Sequence, residues 1–243
     1  MKFIIHGALG RMGRAVEKAL TEQGHDFIKV DINFAEGEGY KSILEVSEPS
    51  DAIIDFSFHT ATPDLLRYAT QTNTPVVLCS TGHTEEEKEL IMQTAKKVAI
   101  FYSGNMSVGI AVLSDLVKKA VRVMGNADVE IVEVHHNKKV DAPSGTALML
   151  YDAVKEEREE IKKVVGRNGY CLKEPNEVGI SSVRLANVVG IHEVLISDGT
   201  QTLTLKHEAH DRSLFALGAV DAAKFLANKG AGLYDMKKML QEV

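Results

Sequence analysis

The sequence predicts an α/β protein in two parts, a first half of strand–helix units around a parallel sheet and an α+β second half with a mixed sheet. Three observations predict it. Residues 1–106 alternate short apolar runs with helix-spaced segments, the pattern of repeated βαβ units. From Gly179 onward the pattern changes to alternating stretches joined by tight turns. Between them lies Glu133–Ala147, which holds more chemistry than any other window: two adjacent imidazoles, two lysines and then Pro143-Ser144-Gly145-Thr146.

Composition bounds the function. The 243 residues allow two modest domains, and 44% hydrophobic with 26% charged residues is ordinary for a globular protein. A net charge of −6 argues against a general nucleic-acid binder or a ligand of anionic membranes. The N-terminus enters a strand with no signal-peptide core, and no apolar run has a membrane span's length. Cys79 and Cys171 lie far apart outside any CxxC pair, so two buried thiols in a reducing, cytoplasmic compartment are expected.

Taken in order, Lys2–His6 is an apolar strand, followed by Gly7-Ala8-Leu9-Gly10-Arg11-Met12-Gly13 and a helix from Arg14. Strand, glycine turn and helix make the context of a dinucleotide-binding loop. Gly7 makes the tight turn, Gly10 admits a pyrophosphate, Gly13 packs helix on strand, and Arg11 stands beside the phosphates. A second strand, Asp26–Asp31, ends in the acid expected to bind the adenosine ribose. That acid favours NADH, because a 2′-phosphate would meet its charge; NADPH stays possible, and no arginine follows Asp31. Strands at 51–57, 74–79 and 98–102 follow, with helices near 63–69 and from the Thr84–Glu87 capping box to about Lys97. Ligands of parallel sheets lie at the carboxyl ends of the strands. Phe56-Ser57, Cys79-Ser80-Thr81 and Ser103-Gly104-Asn105-Met106 are therefore expected to line the cofactor crevice.

A helix at 109–120 leads out of this first domain, placing the boundary near Met106–Ser107. The dinucleotide-binding domain is 1–106, with a C-terminal helix in 213–243 returning to it; 107–212 is the substrate domain. Val129–Val134 reads as a strand with alternate residues on one buried face, and a helix follows the histidine loop to about Val165. Strands are expected at 179–189, 190–197 and 201–209, with Asp198-Gly199 as a hairpin turn.

The histidine loop thus joins a strand to a helix start, whose first amides lack intrahelical partners and attract anions. A small dicarboxylate could meet the Gly145 and Thr146 amides while His136 and Lys139 reach it from the loop. No metal is expected: His135 and His136 are too close in sequence for a typical zinc pair, and no cysteine is near. His192, His207 and His210 read as hydrogen-bonded scaffold, and the Glu156–Lys163 charge run as a solvated helix face.

His135-His136-x-x-Lys139-x-Asp-Ala-Pro-Ser-Gly-Thr-Ala147, with Gly7-x-x-Gly10-x-Met-Gly13, Ser103–Gly109 and His207–Ala219, resembles the 4-hydroxy-tetrahydrodipicolinate (dihydrodipicolinate) reductases of diaminopimelate and lysine synthesis. The resemblance spans nearly the whole chain. It implies a Rossmann-like domain, a mixed-sheet domain through which a homotetramer forms, and use of NADH and NADPH. It also implies hydride delivery to ring carbon C4 and protonation of the adjacent carbon. His135 and Lys139 would be catalytic, with either able to deliver the proton, and His136, Lys139, Gly145 and Thr146 would hold the substrate carboxylates. Domain closure on binding is expected. The chain departs from the family pattern at Leu185, Ala186 and Ile191, where a glycine pair and a Gly-Glu-His triplet are usual. Another nicotinamide dehydrogenase of a small dicarboxylate, or a non-catalytic NAD sensor, would keep the glycine loop and Asp31 without needing the His-His-x-x-Lys motif.

Overall fold

The computed structural model describes residues 1–242. The chain forms two compact units, one of residues 1–107 with 212–243, the other of residues 108–211. The second is thus an insertion in the sequence of the first.

The first unit has a six-stranded, wholly parallel sheet. Its strands are β1 (Lys2–His6), β2 (Asp26–Val30), β3 (Ala52–Asp55), β4 (Val76–Leu78), β5 (Ala99–Tyr102) and β11 (Gly232–Tyr234), in the order β11-β5-β4-β3-β1-β2. Helices α1 (Arg11–Glu22), α2 (Thr62–Thr72), α3 (Glu85–Ala95), α6 (Ser213–Leu226) and α7 (Met236–Gln241) belong to it. Every residue of β3 and β4 is buried, as expected where helices cover both faces of a parallel sheet. α1 and α6 pack together, and α6 also lies on β3, β4 and β5. Ile4, Ile53, Leu65, Leu66, Ile91 and Ile100 join one core cluster. The Thr84–Glu87 capping box opens α3 as the sequence predicts.

The second unit has a five-stranded mixed sheet in the order β10-β9-β6-β8-β7. It comprises β6 (Asp128–His135), β7 (Lys162–Val165), β8 (Glu177–Arg184), β9 (Gly190–Ser197) and β10 (Thr202–Ala209), with α4 (Val108–Met124) and α5 (Gly145–Glu157). β8 runs parallel to β6 and β7, whereas β9 is antiparallel to β6 and β10. Val129, Ile131, Val178, Ile180, Val194 and Ile196 pack with Leu113, Val117, Leu150 and Val154 of α4 and α5.

Four expectations are corrected. α5 stops at Glu157 rather than near Val165, and Lys162–Val165 is an edge strand paired with β8, so the Glu156–Lys163 run is not one helix face. The stretch after Arg184 leaves β8 and turns, with Ala186 at φ +43°, before β9 begins at Gly190. The C-terminal segment is not a single helix: α6 is followed by β11, which extends the parallel sheet beside β5. Cys79 is buried but Cys171 is exposed.

Candidate active site

The glycine loop is shaped by backbone contact. Gly7 sits at φ +82°, and a Cβ there would lie 2.8 Å from the Phe56 carbonyl oxygen. A Cβ on Gly13 would come within 2.2 Å of the Gly7 carbonyl oxygen. Gly10 caps α1 with no side chain on its first amides, so the Arg11, Met12 and Gly13 N–H groups remain open to an anion. A cavity of about 410 Å³ opens here, lined by Gly7, Leu9, Gly10 and Asp31 together with Ile32, Asn33 and the Phe56–Ala61 turn. Phe58 is 80% exposed and Ile32 77%, flat apolar surface at the rim. No lysine or arginine lines it. Asp31 is buried at the end of β2 and accepts hydrogen bonds from the Leu9 N–H at 2.9 Å and the Asn33 N–H at 3.0 Å, tying the glycine loop to the second strand.

The other expected cofactor residues lie at the ends of β4 and β5. Cys79 points into the core, where burial pushes its thiol up. Ser80 is buried, and its hydroxyl donates to Asp55 Oδ2 at 2.8 Å; these two residues offer a ligand backbone only. Thr81 and Gly104 are exposed neighbours. Ser103 Oγ donates to the Asn105 carbonyl at 2.7 Å, closing a turn that buries Asn105 and Met106. Gly218 of α6 packs on that turn so closely that a Cβ would lie 1.8 Å from the Met106 carbonyl oxygen.

A buried polar group that no local sequence signal marks lies behind these loops. Asp55 is fully buried and meets His6 Nδ1 at 2.8 Å, Ser57 Oγ at 2.6 Å and Ser80 Oγ. Burial alone would raise its carboxyl, but these partners hold it below the ordinary range. One buried carboxylate thereby joins the ends of β1, β3 and β4. Beside it His83 lies 3.0 Å from Thr62 Oγ1 and 3.2 Å from the Tyr102 hydroxyl.

In the second unit the histidine loop is built from β6 outward. Val129, Ile131, Glu133 and His135 share one buried face of the strand. Glu133 is fully buried. Arg184 grips it with both terminal nitrogens, at 2.9 and 3.0 Å, the Ser144 N–H donates to it at 3.3 Å, and His135 Nδ1 meets Oε2. Burial would raise the Glu133 carboxyl, yet the Arg184 guanidinium, the Ser182 hydroxyl and His135 hold it below the usual carboxylate range. His135 is lowered by burial despite that carboxylate, so its imidazole is neutral at pH 7. Burial, with His135 beside it, pushes His192 down to about 3; its ring lies 5.0 Å from that of His135, and Nε2 is 3.0 Å from Ser144 Oγ.

Ser144 also caps α5, accepting from the Ala147 N–H at 3.2 Å, with exposed Gly145 and half-buried Thr146 in the first turn. Lys139 Nζ pairs with Asp141 at 2.8 Å, and the Asp141 carbonyl accepts from Arg184 at 2.6 Å. His135, Lys139 and the start of α5 are therefore held around one carboxylate–guanidinium pair. His136 lies on the same turn, its carbonyl accepting from the Lys139 N–H at 3.1 Å. The departures Leu185 and Ala186 brace this loop by backbone: Leu185 N–H donates to the His135 carbonyl at 2.7 Å, and Asn137 N–H to that of Ala186 at 3.2 Å. His192 is the scaffold histidine the sequence predicts. Glu133, Ser144 and Arg184 were not singled out for roles, although Glu133 shares the phase of Val129 and Ile131 and could have been found from it. Among the described residues no carboxylate, histidine and cysteine group has the makings of a metal site, and no helix is long and apolar enough to cross a membrane.

Comparison with known proteins places the chain. The family model for the dihydrodipicolinate reductase N-terminus matches residues 1–106, and that for the C-terminus matches residues 109–240. A 4-hydroxy-tetrahydrodipicolinate reductase of Caldanaerobacter subterraneus subsp. tengcongensis is 41% identical, with 100% of this chain and 99% of the relative covered. One from Clostridium novyi is 37% identical, over 99% of this chain and 98% of the relative. The fold is that of dipicolinate-bound dihydrodipicolinate reductase from Paenisporosarcina sp. TG-14, with a TM-score of 0.81 at 22% identity over 97% of both chains. An amine dehydrogenase from Mycobacterium smegmatis shares the architecture more loosely, with a TM-score of 0.61 at 12% identity over 98% of this chain and 95% of the other. Matched along both units by sequence and fold, the chain belongs to the dihydrodipicolinate reductase family.

Proposed function

We propose that this protein reduces 4-hydroxy-tetrahydrodipicolinate to tetrahydrodipicolinate with a nicotinamide cofactor, in diaminopimelate and lysine synthesis. The observation that carries the proposal is the grouping of His135, Lys139 and the α5 N-terminus around Glu133–Arg184, in a chain that family models match over both units. The first unit fits the cofactor: the Gly7 and Gly13 cradle leaves no room for side chains, and the first amides of α1 are uncapped. The 4-hydroxyl leaves as water with a proton from the adjacent ring carbon, giving a C=C conjugated to the ring imine, and the reduced nicotinamide, when bound, would supply the hydride to C4 of that species.

The protein's own groups do the rest. The Gly145 and Thr146 amides at the start of α5 receive a substrate carboxylate, with His136 and Lys139 flanking it. The Lys139 amine, paired with Asp141, draws in the dianion and can give a proton to the carbon next to C4. His135 is lowered by burial and hydrogen-bonded through Nδ1, which would leave an Nε2 lone pair for the substrate and supports Lys139 as the donor of the proton. The uncovered face of the mixed sheet carries half-buried Val132, Val134, Ile191 and Leu195, with Val183 42% exposed. We read it as the surface through which a homotetramer assembles.

NADH is the favoured cofactor. Asp31 lines the cavity, and neither a lysine nor an arginine is among its lining residues to receive a 2′-phosphate. Steady-state oxidation of NADH and NADPH in the presence of freshly generated 4-hydroxy-tetrahydrodipicolinate tests both points. The wild type is expected to turn over faster with NADH, and Asp31→Ser to move the ratio of kcat/KM toward NADPH. A ratio unmoved by Asp31→Ser removes that residue as the ribose ligand. Absence of turnover with either cofactor, despite NADH binding, contradicts the reductase assignment.

A further inference from the structure

Glu133 is fully buried, and Arg184, Ser144 and His135 take up its carboxylate oxygens. Its placement nevertheless dictates what His135 can do. An ionised carboxylate only accepts hydrogen bonds, so the His135 nitrogen facing it, Nδ1, must carry a proton. In a neutral imidazole the other nitrogen, Nε2, then holds the lone pair. A Cβ at Gly190 would lie 3.1 Å from this Nε2, so the glycine keeps a side chain off it. Arg184 makes the arrangement durable: its two-pronged grip keeps the carboxylate ionised in a buried position and prevents it from rotating away from the ring.

We propose that Glu133, clamped by Arg184, is the positioning residue that fixes His135 as an Nε2 hydrogen-bond acceptor toward the substrate. This rests on the reading of the His135–Lys139 loop as the reductase's substrate site. The charged and titratable groups around His135 are Glu133 on its own strand, Lys139 with its partner Asp141 on the loop, Arg184 on β8 and His192 on β9, with His207 of β10 acting on His192. Of these, Glu133 is the group that raises the proton affinity of His135, while Lys139 and Arg184 lower it.

The test is the pH profile of kcat/KM for the wild type, Glu133→Gln and Arg184→Gln, with NADH binding followed in each as the check on folding. If neutral His135 is required, activity falls on the acid side as the ring is protonated. Glu133→Gln removes the favourable anion, so the acid limb should move to lower pH by about one unit, and the rate at the optimum should drop about tenfold because the amide can impose the wrong tautomer. Arg184→Gln leaves the buried carboxylate without its guanidinium, so burial should neutralise Glu133 and the acid limb should move to lower pH in this variant as well. Acid limbs displaced to lower pH in both variants support the proposal; loss of rate with unmoved limbs, or a limb displaced to higher pH in either, overturns it. Should the wild type fail to turn over 4-hydroxy-tetrahydrodipicolinate, the reductase reading falls. The ¹⁵N shifts of the His135 ring in the same three proteins still decide the positioning. An Nε2 lone pair in the wild type that is lost in Glu133→Gln supports it, and an unchanged tautomer overturns it.

Discussion

At the scale of single residues, the second unit stores its polar chemistry in a place where burial is costly, and the cost has a measurable sign. His192 is 4% exposed and held neutral with its acidity displaced to about 3, against 6.5 in an unfolded chain. Between those values the unfolded state binds a proton that the folded state refuses. The stabilising difference is complete above pH 6.5 and is lost as pH falls from 6.5 toward 3. His192→Gln keeps a polar group beside Ser144 but removes the titration. Urea unfolding at pH 7 and pH 4 should show the wild type losing ~2–3 kcal/mol more than His192→Gln over that interval. Equal losses in the two proteins would mean that His192 is accessible to protons in the folded state. Glu133 belongs to the same class of buried group, differing in having a full complement of partners.

At the scale of elements, the β1–loop–α1 unit depends on close backbone approach. Gly13→Ala would drive a methyl group into the Gly7 carbonyl, 2.2 Å away, and neither backbone atom can step aside cheaply. The substitution should destabilise by about 1–3 kcal/mol, the usual cost of overpacking, and weaken NADH binding at least tenfold in a fluorescence titration. Wild-type affinity in Gly13→Ala would show that the loop does not hold the pyrophosphate. This unit was legible because each of its signals is local: an apolar run, a glycine spacing, then helix periodicity. The same holds for the α3 capping box and for α6. The misreadings are of two physical kinds. β7 (Lys-Lys-Val-Val) and β11 (Gly-Leu-Tyr) are short edge strands whose extended form is imposed by β8 and β5, partners remote in sequence. The end of α5 was misplaced because Glu156–Lys163 offers charges but neither a glycine stop nor a proline, so nothing local marks Glu157 as the last turn.

At the scale of the whole molecule, the chain spends residues 1–107 and 212–243 on a parallel-sheet unit with a cradle for a dinucleotide, and residues 108–211 on a mixed sheet that carries the His135–Lys139 loop. The motif residues of the candidate site were legible because histidine, lysine and a Pro-Ser-Gly-Thr helix start advertise their chemistry in sequence. Their supports were not. Arg184 reaches Glu133 across 51 positions of sequence, and the parallel register of β6 with β8 that brings them together has no local signature. The carboxylate of Asp55 likewise gathers His6 from 49 residues away and Ser80 from 25. This division also separates two measurable quantities, since the proposed cofactor contacts lie in one unit and the proposed proton donor in the other. The most direct test of the account measures kcat and the NADH Kd on the same preparations of wild type and Lys139→Ala, with 4-hydroxy-tetrahydrodipicolinate as substrate. The account predicts a fall in kcat of about 10²–10⁴-fold, the usual contribution of a positioned acid, with the NADH Kd unchanged. An unchanged kcat in Lys139→Ala would contradict it.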